Sequence, residues 1–107
     1  MMKKLNWQAY SAQERIPIIE KIKTIVIKHG YITNFNMFSD ISLSLSIEIE
    51  ECKIVNFHND LQKIITLTEL ELLHINLNSN KEWMIFMNIS FSKGTGDMRI
   101  EKPAVDG

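Results

Sequence analysis

Cysteine is almost absent from the chain, and this scarcity narrows the class of protein. Among 107 residues there is one cysteine, Cys52, so an internal disulfide cannot form. Small secreted domains depend on disulfides, whereas reducing compartments keep thiols free. The start Met1-Met2-Lys3-Lys4 has the basic character of a signal peptide, but polar residues follow at once and no apolar core region appears. We therefore expect a cytoplasmic protein.

A net charge of one sign and a long apolar run are also missing. The 12 basic and 13 acidic residues give a formal net charge of -1, whereas a sequence-independent nucleic-acid binder needs a clear basic excess. No apolar run approaches the roughly 20 residues that a membrane-spanning helix requires. Neither nucleic acid nor a membrane is expected as a partner. With 45% hydrophobic residues, residues 1–107 should form a single domain with one core.

No complete glycine-rich phosphate-binding motif is present. Gly94-Thr95-Gly96-Asp97 invites the comparison, because glycine lets backbone amides approach an anion closely. The stretch lacks the Lys-Ser/Thr ending of a P-loop and the third glycine of a dinucleotide fingerprint. We expect a turn here, within a glycine-containing loop and C-terminal tail at residues 93–107. Within that tail, residues 98–101 could form a short edge strand.

Metal ligands at paired spacings are absent as well. The residue types that could bind a metal are Cys52, His58 and His74, together with Glu48 and Glu50. Cys52 and His58 are six positions apart, or about 600° around a helix, so they would not share a face. We expect no metal and no cofactor. A nucleophilic Cys–His pair likewise has no flanking pattern to support it.

The stretch Ile41–Glu50 is the clearest structural signal that the chain does contain. It alternates apolar and polar residues without exception over ten positions. Side chains of a β-strand point to opposite faces with period two, whereas a helical period of 3.6 would mix the two sets. The pattern predicts a strand with one buried face and one face open to water, as in an antiparallel sheet.

A first helix is predicted before this strand. Ser11 and Glu14 have the spacing of a capping box, in which each side chain bonds to a free amide at the start of the helix. Together with an isoleucine stripe, the motif predicts a helix over residues 12–29. Pro17 lies too deep for that start, so either the helix is kinked there or it begins near Arg15.

The remaining elements are predicted from period and composition. Gly30 follows the first helix, where a left-handed C-terminal cap is expected. Aromatic and β-branched residues predict a strand over Tyr31–Phe38, which forms a hairpin with the alternating strand. Apolar spacing of three and four predicts a second helix over Glu51–Ile65, and alternation predicts strands over Leu70–Asn78 and Trp83–Ser92.

The order helix, hairpin, helix, hairpin predicts the fold class. We expect an α+β domain of (αββ)₂ order, a two-layer sandwich with two helices on one face of a four-stranded antiparallel sheet. Residues 1–10 form an N-terminal arm in this scheme, whose Trp7 could cover a sheet edge or exchange between subunits. The arrangement resembles a circular permutation of the ferredoxin-like fold, a likeness of fold that implies no function.

The sheet face away from the helices is the candidate functional surface. The serines of the alternating strand share it with two apolar residues of the last strand, and Leu72 would join them if it points the same way. The candidate residues are Ser42, Ser44, Ser46, Met84 and Phe86. An exposed, partly apolar patch of this kind usually marks an interface. We expect a non-enzymatic binding or regulatory module acting as a homodimer, with a small molecule or another protein as a further partner.

An enzyme of the dimeric α+β-barrel kind is the alternative. Its pocket would lie near His58 or His74, and either histidine or Glu48 would carry the proton. Glu48 and Glu50 would lie about 7 Å apart on one strand face. A solvated rim is the preferred interpretation of this pair, because nothing apolar beside it in sequence would raise the pKa of either carboxyl. No set of nucleophile, base and oxyanion donors can be assembled from the sequence.

Overall fold

The chain forms one mixed β-sheet and two helices. The computed structural model describes residues 2–39, 41–71 and 74–92. The elements are β1 (Lys3–Ser11), α1 (Arg15–His29), β2 (Gly30–Ser39), β3 (Ser42–Glu50), a 3₁₀ turn (Glu51–Lys53), α2 (Ile54–Gln62), β4 (Thr66–Leu67) and β5 (Glu82–Phe91). The α+β class is confirmed. Within the described ranges, no helix is both long enough and apolar enough to span a membrane.

The sheet differs from the expected one in strand number and in the direction of one pair. It has five strands in the order β2-β3-β5-β1-β4. β1 runs parallel to β5, whereas every other neighbouring pair is antiparallel. The four-stranded antiparallel sheet and the permuted ferredoxin-like order are therefore not reproduced. The hairpin of β2 and β3, which the sequence predicts, is present.

The N-terminal segment is a strand inside the sheet and not an arm. Residues Lys3–Ser11 pair with β5 along their whole length, with Trp7 opposite Met87. Trp7 and Ala9 are buried in the core, whereas Asn6, Gln8 and Tyr10, which alternate with them, are exposed. Period two is present here as in β3, because apolar side chains alternate with Asn, Gln and Tyr. β1 therefore supplies an inner strand next to β5.

The alternation of β3 and β5 separates two faces of the sheet as the sequence predicts. In β3 the four apolar residues from Leu43 to Ile49 are at most 1% exposed, and the intervening residues are half-buried. The inward-facing residues of β5 are Trp83, Ile85, Met87, Ile89 and Phe91, all of which are buried. The buried residues of both helices join this same cluster, so the helices cover one face of the sheet.

Helix α1 begins at Arg15, which resolves the conflict at Pro17. Pro17 lies in the first turn, where a backbone amide has no partner four residues earlier, so the missing N–H costs little. The expected capping box does not form. Ser11 ends β1, and its hydroxyl accepts a bond from the amide of Gln13 at 3.1 Å. Glu14 is the N-cap residue and makes no side-chain cap bond.

Gly30 has a different role from the left-handed cap that its position suggests. Its φ of -162° is extended, and its N–H donates to the carbonyl of Val26 while the residue already begins β2. A Cβ at this position would collide with the carbonyl oxygen of Glu48 and lie 3.2 Å from the Cβ of Ile49. Glycine is needed here because α1 turns directly into a strand that lies tightly against β3.

Residues after α2 do not form the predicted strand over 70–78. α2 is shorter than expected and ends at Gln62, with the 3₁₀ turn in front of it. Residues 70–71 and 74–78 lie outside any strand. Backbone bonds instead join this connection to the end of β3, since the Glu51 amide donates to the Lys81 carbonyl and the Cys52 amide to the Ser79 carbonyl. Leu72 and the tail at 93–107 lie outside the described residues.

Candidate functional site

The sheet face away from the helices contains all five residues that the sequence singles out. Ser42, Ser44 and Ser46 alternate with buried residues along β3, and Met84 and Phe86 do the same along β5. The strand register pairs Ser46 with Phe86 and places Met84 one row further along. All five side chains are half-buried. We call this surface the open face, since no described helix packs on it.

The pairing of four neighbouring strands arranges the open face in rows. From β2 to β1, the rows are Asn34–Ser46–Phe86–Asn6, Asn36–Ser44–Asn88–Gln8 and Ser39–Ser42–Ser90–Tyr10. These three rows contain hydroxyl, amide and aromatic side chains and no charged one. A surface of small polar groups around one phenyl ring is flat and costs little to desolvate compared with a charged one.

Among the described residues, the charged side chains of the open face lie at one end of it. The next row pairs Glu48 with Met84 and Met84 with Lys4, so a thioether lies between an acid and a base. Thr33 borders this row, where its hydroxyl donates to the Ser46 carbonyl at 3.1 Å and lies 3.8 Å from the Met84 sulfur. The open face therefore has an uncharged centre and one charged end.

Three carboxyl groups lie close together at this charged end. Glu82 is opposite Glu50 and adjacent to Glu48 across the β3–β5 pair. A hydrogen bond with Glu48 raises the pKa of Glu82 above its ordinary value, and burial and the negative charges of Glu48 and Glu50 raise it further. The rim interpretation of the acidic pair omitted this third carboxyl. Glu82 is distant in sequence, so only the β3–β5 register reveals it.

Cys52 and the neighbouring acids do not form a metal site. The Cys52 thiol donates to the Asn80 side-chain oxygen at 3.4 Å and approaches a Glu50 carboxylate oxygen at 3.9 Å. Glu50 is also 3.6 Å from the Lys53 ammonium. Among the residues that the structure describes, no group of three or more Cys, His, Asp or Glu side chains is placed to bind a metal ion.

The two histidines of the enzyme alternative line separate clefts. His58 is 5% exposed, and its Nε2 donates to the Thr68 carbonyl at 2.6 Å while its ring contacts the Trp7 ring edge-on at 5.1 Å. It borders a cleft of about 380 Å³ at the surface of α2. His74 is exposed and borders another cleft, of about 370 Å³, beside β1. The two rings do not converge on one pocket.

A histidine–aspartate pair that the sequence analysis did not predict links the ends of α1 and α2. His29 Nε2 donates to a carboxylate oxygen of Asp60 at 2.8 Å, and the His29 ring packs against Phe57. This hydrogen bond lowers the pKa of Asp60, and the charges of Lys28 and Lys63 lower it further. The residues are 31 positions apart, so no local pattern could show the contact. The pair joins the two helices.

No protein-family model, curated protein or solved structure matches this chain. The role of the open face therefore has to be inferred from its own geometry and chemistry.

Proposed function

We propose that the protein is a small non-enzymatic interaction module that forms a homodimer through its open face. The observation that carries this proposal is the uncharged centre of that face, where Phe86 is surrounded by Ser44, Ser46 and Asn88. A sheet face that only meets water has no need for an aromatic ring among small side chains. The single thiol, Cys52, fits a cytoplasmic setting for such a module.

The size of the open face supports pairing with a second copy. Four strands of nine or ten residues measure about 30 Å by 19 Å, on the order of 600 Å² of flat area per copy. Specific interfaces bury about 800 Å² of accessible surface per partner, and the uneven surface of side chains adds to the flat figure. Stacked sheets approach to about 10 Å, a distance that small serine and asparagine side chains permit.

Charge placement also supports a symmetric pair. Glu48 and Lys4 lie on either side of Met84 in the same row, so each copy presents both signs at one end of its face. A two-fold axis brings identical surfaces together, so Lys4 of one copy can pair with one of the three carboxyl groups of the other, which limits the repulsion between the two acidic clusters.

Light scattering on the purified chain, with Phe86→Glu as the variant, tests the proposal. We expect the wild-type chain to assemble at micromolar concentration and Phe86→Glu to halve the mass of the assembly, because a carboxylate would be buried against a second copy without a partner. Circular dichroism should be unchanged, since Phe86 does not belong to the buried core.

Ile16→Glu is the matched control. It places the same charge on an exposed isoleucine of α1, which lies away from the open face. The assembly formed by the Ile16→Glu chain should have the same mass as the wild-type assembly. A wild-type chain that is strictly monomeric at 100 μM would remove the basis for the proposal, as would an assembly that Phe86→Glu leaves intact.

A further inference from the structure

We propose that β2 is a pairing edge to which a second copy of this chain adds its own β2 in antiparallel orientation, making one continuous sheet across two molecules. β2 is the outermost strand, and no described strand pairs with its outer side. Alternate N–H and C=O groups of Gly30–Ser39 therefore point away from the sheet. Such a row of donors and acceptors is complementary to another extended strand. This inference concerns the outer edge of the sheet and does not rest on pairing through the open face, although Tyr31 of β2 lies beside Glu48 at the end of that face.

The sequence of β2 has few of the features that keep strands apart. Natural edge strands carry lysine, proline or inward-pointing charges, whereas Gly30–Ser39 contains no charged residue and no proline. Two register shifts mark bulges at Thr33 and Phe38. The stretch between them, residues 34–37, keeps regular pairing with β3 and offers four residues in register for a new strand.

Part of the opposite edge of the sheet is paired with other residues of the chain, whereas the outer side of β2 is not. β4 pairs with Ala9 and Tyr10 of β1. Beyond it, the Thr68 amide donates to the Gln8 carbonyl at 3.0 Å, and the Gln8 amide donates to the Thr68 hydroxyl at 2.8 Å. The chain thus satisfies the Gln8–Tyr10 part of this edge with its own residues, whereas no described strand pairs with any part of the outer side of β2.

Large apolar side chains are exposed along the same edge. Tyr31 is 67% exposed, Phe38 is 70% exposed, and Met37 between them is 37% exposed. Ile41, which directly precedes β3 at the tip of the hairpin, is 50% exposed. Single exposed apolar residues are common, but a group along an unpaired strand is typical of an interaction surface.

A second copy of β2 fits this edge better than a charged peptide would. Two identical uncharged strands have equal length and no like charges to bring together. In an antiparallel pair about a two-fold axis, the first half of one strand lies beside the second half of the other. The end of β2 that carries Tyr31 then lies beside the end of the second copy's β2 that carries Phe38, so exposed apolar residues meet at both ends of the pair.

Amide hydrogen exchange combined with light scattering tests this inference. In the Phe86→Glu background, where pairing through the open face is removed, we expect a dimeric mass and slow exchange at β2 amides that do not bond to β3, because the second copy protects them. The double variant Tyr31→Lys/Phe38→Lys should lose the dimer and expose those amides, since lysines would meet across the axis. Ile16→Lys/Leu77→Lys is the matched control, as both residues are over 60% exposed and lie outside the sheet.

The outcomes separate the edge from the open face. Phe86→Glu should leave the β2 amides protected, because the edge does not need the open face. A dimer whose outward β2 amides exchange at the unprotected rate pairs elsewhere and overturns the inference. A monomeric mass overturns the inference too. If the β2 amides of such a monomer are protected and lose that protection when residues 93–107 are deleted, the chain's own tail occupies the edge.

Discussion

Gly30 illustrates how one atom decides the fit of a helix-to-strand junction. We expect Gly30→Ala to lower the free energy of unfolding by about 1–3 kcal/mol, because the new methyl collides with a backbone carbonyl of β3 that cannot rotate away. Where the backbone allows it, the same change stabilises proteins by about 0.4–1 kcal/mol through the unfolded chain. Urea unfolding shows whether the substitution lowers or raises the free energy of unfolding. Asn36→Ala, exposed on the same strand, is the control, and a Gly30→Ala chain as stable as the wild type would refute the clash.

Glu82 gives the protein a stability that depends on pH. Its pKa is raised from an ordinary value of 4.5, so the folded state binds a proton more readily than the unfolded chain. Its contribution is fully present below pH 4.5 and is lost as pH rises through the raised folded pKa. We therefore expect Glu82→Gln to be more stable than the wild type at pH 7, with the difference vanishing towards pH 4.

Urea midpoints at each pH unit from 4 to 8 measure this difference. Glu69→Gln removes another exposed carboxylate and controls for the change in net charge. A constant offset between the Glu82→Gln and wild-type midpoints across the series would mean that the carboxyl cluster is not the source of the effect.

Elements with local periodicity are those that the sequence could predict. β3 alternates strictly between apolar and polar residues, and the buried residues of β3 and β5 are the ones expected from period two. The isoleucine stripe predicted for α1 is buried at Ile19 and Ile22, whereas Ile16 in the first turn is exposed. The five open-face candidates were found for the same reason, since period two also assigns the face that is not buried.

Pairing partners and non-local contacts are what the sequence could not provide. Lys3–Ser11 has an alternating pattern, but nothing in it says that the partner is β5, about 80 positions later. Residues 70–78 also alternate in part, yet those that the structure describes lie outside any strand, and the Asn76 amide donates to the buried Glu51 carboxylate at 2.7 Å. That bond lowers the pKa of Glu51 and keeps the carboxylate ionised beneath the connection. This contact joins positions 25 residues apart, so the local alternation of residues 70–78 could not reveal it.

The first and the last described strands along the chain, β1 and β5, pair with each other and hold the molecule together. β1 and β5 pair in parallel over nine residues, so most of the chain must be in place before this contact forms. Trp7 of β1 is 2% exposed and stacks on Phe57 of α2 at 5.7 Å. β1 therefore connects the sheet with the helical layer, and its loss would open β5 and expose the core beneath α2.

We expect a chain that lacks residues 1–12 to lose cooperative unfolding, since it forfeits the burial of Trp7 and every hydrogen bond between β1 and β5. Urea titration followed by circular dichroism should show a broad transition in place of a sigmoidal one. A synthetic peptide of residues 1–12 should restore the transition, with a blue shift of tryptophan fluorescence as Trp7 is buried. The same peptide with Trp7→Ala should fail to do so. A truncated chain with the wild-type midpoint would show instead that the hairpin, β5 and the helices hold together without β1.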